Sequence, residues 1–200
     1  SLLVIFNPAL SERKLIETYL LKLAENLGQT DTSAERLIKI PTLYGTDFGI
    51  DLDFVAKNSK LSIEEVISLH SEPKYRVYMI GFAPGFPYLG GLNEKLTTPR
   101  LESPRLKIPA GSVGIAESQT GIYPNDSPGG WQLIGRTPLN LFDPNRENPS
   151  LLIAGDYMKF EPLESPEEYS DIKSDIESNN YKLEISTLDS QEDNEPERHE

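Results

Sequence analysis

The chain changes its hydrophobic rhythm several times. It enters on an apolar run, Leu2-Leu3-Val4-Ile5-Phe6, whose length suits a strand ended by Pro8. Ser11 is placed to cap a helix, and Leu15, Ile16, Tyr19, Leu20, Leu23, Ala24 and Leu27 follow at helical spacing up to Gly28. This βα unit over 1–30 is too small to fold alone. It has the look of a remnant of a truncated α+β N-terminal domain. After a polar linker over 29–33, Leu37 to Leu43 reads as a strand. Two short helices are expected next, over Asp51–Asn58 and from Ser62 to about His70. The second opens on a capping box, Ser62-Ile63-Glu64-Glu65.

From Tyr75 the pattern turns to short apolar stretches between turn residues. Tyr75–Ile80, Ser112–Ala116, Gly121–Tyr123, Trp131–Ile134, Leu151–Ala154 and Tyr157–Glu161 are strand candidates. Ten prolines and ten glycines between Gly81 and Pro149 leave no room for a long helix. Many short strands with Gly/Pro turns indicate a barrel or sandwich over about 36–162. Beyond Pro162 apolar residues thin out. Tyr169, Ile172, Ile176, Tyr181, Leu183, Ile185 and Leu188 offer at most a weak docking helix or strand, and Gln191–Glu200 reads as disordered. The expectation is an acidic, largely disordered tail over 163–200 whose removal leaves the barrel folded.

Charge sharpens this division. The formal net charge of the 200 residues is -13, yet residues 161–200 hold 14 acidic against 3 basic side chains. Between Arg36 and Phe160 the two signs balance at 13 each. A neutral body argues against a nucleic-acid footprint. With no cysteine there is no disulfide, thiolate nucleophile or cysteine zinc site, which suits a reducing, cytoplasmic setting. Two histidines, His70 and His199, exclude a multi-histidine metal site. No apolar run is long enough to span a bilayer, and no P-loop or Gly-x-Ser-x-Gly elbow is present.

The candidate chemistry lies in one dense run. Gly81-Phe82-Ala83-Pro84-Gly85-Phe86-Pro87-Tyr88-Leu89-Gly90-Gly91 sets three aromatics among stiff turns. Pro99-Arg100 and Pro104-Arg105 hold two guanidinium groups on rigid backbone, suited to a carboxylate or phosphate, or simply to a solvated surface. Gln119 and Tyr123 offer hydrogen bonds from a glycine-bounded strand, either into a pocket or to a turn. Ser127-Pro128-Gly129-Gly130-Trp131 allows close backbone approach at the glycine pair. Phe82, Phe86, Tyr88 and Trp131 serve either as barrel core or as a binding lip. Arg136 is a weaker candidate for anion binding, or simply a partner of Asp143. His70 is either a helix C-terminal cation or a general acid–base group.

This run, from Tyr78 to Pro138, closely resembles the family of the 5-oxoprolinase B component. That family is also described as allophanate hydrolase subunit 1, as carboxyltransferase subdomain C/D and as a sporulation kinase inhibitor. The resemblance extends over about Ser1–Phe160 and implies a cyclophilin-like β-barrel. It implies a role in ATP-dependent opening of 5-oxo-L-proline to L-glutamate with the A and C components of that enzyme, the chain alone being inactive. ATP with magnesium would bind at a site shared with the C component, and no biotin is attached to this chain. On this reading His70 handles protons, while Arg100, Arg105, Gln119 and Tyr123 bind substrate. The aromatics Phe82, Phe86, Tyr88 and Trp131 meet a partner. The alternative role implied by the resemblance is inhibition of a sensor histidine kinase by seating its dimerisation helices against the aromatic loop.

Overall fold

The computed structural model describes residues 4–25 and 36–188, and the chain divides into two units, 1–33 and 34–200. In the first unit α1 spans Arg13–Glu25, and Val4–Phe6 form no strand. The helix starts two residues beyond Ser11; Leu2, Leu3, Leu27 and Gly28 lie outside the described residues.

The second unit is mainly β. Strand β1 (Arg36–Tyr44) leads to α2 (Leu52–Ser59) and α3 (Ile63–Ser71), then to β2 (Tyr75–Ile80) and β3 (Pro87–Gly90). The Ser62 box forms as its sequence requires: Ser62 Oγ accepts from the Glu65 amide at 3.2 Å, and Glu65 Oε2 accepts from the Ser62 amide at 2.7 Å. Next come β4 (Arg105–Ile108), β5 (Ser112–Ala116), β6 (Gln119–Ile122), β7 (Ser127–Gly129), β8 (Gln132–Arg136) and β9 (Tyr157–Pro162).

The main sheet runs β3-β2-β9-β1-β8-β5-β6. Its neighbours are antiparallel except β1 and β9, which run parallel from Leu37↔Tyr157 to Thr42↔Pro162. The terminal strands β3 and β6 approach each other, so the sheet nearly closes into a barrel. Strands β4 and β7, separated in sequence by β5 and β6, pair antiparallel as a separate two-stranded sheet. Inside the barrel Ile38, Ile40, Val77, Ile115, Ile122, Ile134, Met158 and Phe160 are fully buried, with Val55 and Val66 of the two helices packed against them. A second cluster, Phe86, Ile108, Tyr123 and Leu133, fills the seam between the barrel and this small sheet.

Two sequence expectations are corrected here. Leu151–Ala154 is a turn, not a strand: Asp156 accepts from the Ile153 amide at 2.8 Å, and Gly155 takes φ +97°. Nor is the segment after Pro162 a disordered tail throughout. Helix α4 spans Pro166–Glu177, and β10 (Ile185–Thr187) pairs with Ile38–Arg36 of β1. Ser165-Pro166-Glu167-Glu168 repeats the cap spacing of the Ser62 helix, and Ser165 Oγ accepts from the Glu168 amide. Tyr169 is buried, meets the Phe48 ring in a tilted contact at 4.6 Å and reaches the Thr137 carbonyl. Sparse apolar residues suffice because Tyr169, Ile176, Tyr181 and Leu183 meet a barrel that already exists. Residues 189–200 lie outside the described residues.

Candidate functional site

The loop between β2 and β3 sorts its two phenylalanines by backbone geometry. Gly81 donates to the Phe86 carbonyl at 3.0 Å, and Phe86 donates to the Ala83 carbonyl at 3.0 Å. Closing this tight loop requires φ +63° at Phe82 and φ +83° at Gly85. Gly85 has no alternative residue of ordinary size, since a Cβ there would stand 2.7 Å from Phe142 Cβ. Phe82 is thereby turned out, 79 % exposed, while Phe86 is turned in, 4 % exposed.

Phe86 is the hub of an aromatic cluster. Its ring meets Phe82, Tyr88, Tyr123 and Trp131 edge-to-face at 5.7, 5.5, 5.9 and 5.7 Å. Over this floor opens a cleft of about 300 Å³. It is lined by Phe82, Phe86, Tyr88, Trp131, Arg100, Gln119 and Tyr123, together with Pro128, Gly129 and Gly130. The close packing depends on glycine. A Cβ on Gly121 would stand 3.1 Å from the Phe86 ring, and one on Gly129 would stand 2.5 Å from the Tyr123 hydroxyl. The aromatic residues expected to meet a partner therefore share one concavity with Arg100, Gln119 and Tyr123, three of the four polar residues expected to hold substrate.

The charge of the cleft is carried by Arg100, which is exposed and forms no ion pair among the described residues. Burial raises the pKa of the Tyr123 phenol above its ordinary value. A hydrogen bond with the Trp131 backbone and the charges of Arg100 and Arg105 pull in the other direction. Tyr123 thus stays a neutral hydroxyl. Arg105 differs from Arg100. It stands opposite Gly129 in the β4–β7 ladder, bonds Asp51 at 2.7 Å and donates to the Trp131 carbonyl at 3.3 Å. Asp51 also accepts from the Leu133 amide at 2.7 Å. Arg105, expected beside Arg100 as an anion ligand, does not line the cleft, and its charge is already answered by Asp51. Asp51 reads in sequence only as a helix start; a bond across 54 residues leaves no local signal.

His70 is set apart from these residues. It is fully buried and outside the cleft. Nδ1 lies 2.8 Å from the Tyr44 hydroxyl, and Nε2 lies 2.8 Å from Thr120 Oγ1. Thr120 Oγ1 donates to the Gly114 carbonyl at 3.1 Å, so it accepts from Nε2–H, and Nδ1 accepts from Tyr44. The ring is a neutral clamp that ties α3 to β1 and to β6, the strand bearing Gln119. Burial lowers its pKa to about 3. Unfolded, the ring titrates near the ordinary value of 6.5. Below that pH the unfolded chain takes up a proton that the folded chain refuses. Stability is therefore expected to fall by up to about 1.4 kcal/mol per pH unit between pH 6.5 and 3 from this group. Urea denaturation at a series of pH values from neutral down to about 5 checks this. His70→Leu is weaker at neutral pH but has a flatter acid limb, whereas equal slopes contradict the assignment.

Arg136 does not pair with Asp143. Its guanidinium lies over the Phe48 ring at 5.3 Å, and Asp143 faces Arg146. A larger cavity, about 580 Å³, lies between the segment from Pro138 to Leu151 and the segment from Lys173 to Leu183. None of the candidate site residues lines it. No helix among the described residues is long and apolar enough to cross a membrane.

A nearly closed barrel with this cleft at its seam defines a class of domain. Residues 1–152 match the family model of the carboxyltransferase domain, subdomain C and D, and the chain belongs to that family. Among curated proteins it is 52 % identical over 156 residues to the B component of 5-oxoprolinase from Bacillus subtilis, covering 78 % of this chain and 63 % of that one. The 5-oxoprolinase B component of Haemophilus influenzae is 60 % identical over 125 residues, covering 62 % and 59 %. The chain thus spans about three fifths of the length of these relatives. A conserved uncharacterized protein of Pyrococcus horikoshii shares the fold at TM-score 0.64 and 48 % identity, covering 83 % of this chain and 76 % of that one. The Kluyveromyces lactis urea amidolyase matches in fold alone, with TM-score 0.71 at 22 % identity, over 92 % of this chain and 13 % of that one.

Proposed function

We propose that the chain is the B component of a multi-subunit 5-oxoprolinase, and that the cleft at the barrel seam holds 5-oxo-L-proline. The observation that carries this is the meeting of one unpaired guanidinium, two neutral hydrogen-bonding side chains and an aromatic floor in about 300 Å³, in a chain whose relatives are named for that enzyme. The ligand has matching parts. Its carboxylate suits Arg100, its ring amide suits Gln119 and the Tyr123 hydroxyl, and its flat ring suits Trp131 and Phe86. With His70 sealed in the core, the proton transfers of ring opening are assigned to groups from a partner protein of the assembly.

ATP fits this chain poorly by itself. One free guanidinium does not answer a triphosphate. A nucleotide site is therefore assigned to the assembly with the A and C components. The helix-seating alternative gains no support from the geometry. Phe86 is a floor residue, and the cleft is too small for a helix some 10 Å across. Reconstitution with the A and C components, followed by glutamate release from 5-oxoproline and ATP, tests the proposal. Turnover by the complex and none by the chain alone is expected. A complex that forms but releases no glutamate contradicts it.

A further inference from the structure

The two arginines in matching Pro-Arg settings are treated differently by the fold, and the difference is set by one carboxylate. Arg100 projects into the cleft without an ion pair among the described residues. Arg105 stands just behind the Gly129–Trp131 wall, close enough that its charge acts on the Tyr123 phenol, but Asp51 neutralises it at 2.7 Å. Asp51 is itself fixed by the Leu133 amide, and its side chain is only 12 % exposed.

We infer that Asp51 is a specificity-determining residue. By answering Arg105 it leaves the cleft with the charge capacity for one carboxylate, so that a cyclic amide acid is retained and its ring-opened form rejected. This rests on the reading of the cleft as the 5-oxoproline site and extends it to product release. 5-Oxoproline brings one charge and a neutral amide. Glutamate at neutral pH brings two carboxylates and an ammonium group. The second carboxylate finds no unpaired cation in the lining, and the ammonium group meets the positive field of Arg100. Each charge left unanswered in a small apolar cleft loses hydration without compensation. The ring-opened form therefore leaves as soon as it exists.

Trp131, the single tryptophan of the chain, lines the cleft and reports occupancy by its emission. Titration of the full chain with 5-oxo-L-proline and with L-glutamate is expected to show at least about a ten-fold preference for the former. Asp51→Asn keeps an acceptor for the Leu133 amide but releases the Arg105 charge, and should narrow that preference at least about five-fold. Arg105→Met breaks the same ion pair without freeing a cation, and should leave the preference unchanged while both ligands bind. Equal binding of the two ligands by the unaltered chain overturns the inference and leaves the 5-oxoproline reading intact. An equal narrowing in both variants overturns it as well, since loosening of the wall would then explain the effect. Absence of any response to 5-oxoproline, when glutamate does quench Trp131, overturns both. The preference of the unaltered chain is measured without any variant, so the inference stays testable if Asp51→Asn does not fold.

Discussion

Truncation after Pro162 is expected to lower the melting temperature by about 8–16 °C. Such a cut removes α4 and β10, which bury Tyr169, and the segment whose Ile176, Tyr181 and Leu183 pack on the barrel. Burying one large apolar side chain is worth about 1.5–3 kcal/mol, and the tilted Phe48–Tyr169 ring pair adds about 0.5–1.5 kcal/mol. The cut also frees the edge of β1. Arg36–Ile38 lose their partners in β10, and the Lys39 amide loses the Glu184 carbonyl at 3.1 Å. A loss of about 4 kcal/mol follows, and at this chain length each kcal/mol is worth about 2–4 °C. Thermal unfolding followed by circular dichroism checks this. A truncated chain that melts within about 2 °C of the intact one would show that the segment is a passenger.

Replacing Arg100 with methionine is expected to weaken 5-oxoproline binding about ten- to hundred-fold with little change in stability. The side chain is exposed and holds nothing in place among the described residues, so its loss leaves the fold intact. A charge-assisted hydrogen bond contributes about 1.5–3 kcal/mol. Methionine keeps much of the length and an apolar stem, so the change reports the guanidinium itself. The reconstituted complex should lose kcat/KM by a comparable factor, mainly through KM. Arg105→Met behaves in the opposite sense. It breaks the Asp51 pair and the Trp131 contact, and so costs stability more than affinity. If Arg105→Met destroys binding and Arg100→Met does not, the roles are reversed from those the cleft assigns.

The contrast between these arginines marks where local sequence stops being informative. Both sit after proline, and nothing local separates them. Only the fold brings Asp51, at the start of α2, behind β4. His70 is a similar case. A lone histidine at a helix end fits a proton carrier or a dipole partner, and its true partners, Tyr44 and Thr120, lie on strands 26 residues before and 50 residues after it. By contrast, β1, β2, β5, β9 and the two short helices follow from local pattern within a residue or two, because β-branched and aromatic runs, apolar residues at helical spacing or a capping box define them. The strands β3, β4 and β7 are three or four residues long, and β3 and β7 are rich in proline and glycine. They exist through pairing and not through propensity. The helix α4 is legible in its cap: Ser165-Pro166-Glu167-Glu168 carries the same spacing as Ser62-Ile63-Glu64-Glu65, and only the surrounding acidity hides it.

The aromatic and glycine motifs are the most informative part of the chain. Phe82, Phe86, Tyr88, Gln119, Tyr123 and Trp131 lie across about 50 residues of sequence and converge on one cleft. What the motifs do not convey is that floor and rim are different residues. The positive φ at Phe82 and Gly85 decides that Phe86 faces the core and Phe82 faces outward.

The most direct test of the cleft as the substrate site is a crystal of the chain soaked in 5-oxo-L-proline. The carboxylate is expected on Arg100 and the ring between Trp131 and Gln119, above Phe86. A ligand bound elsewhere on the barrel, or a cleft that stays empty at saturating concentration in a lattice that leaves it open, would contradict it.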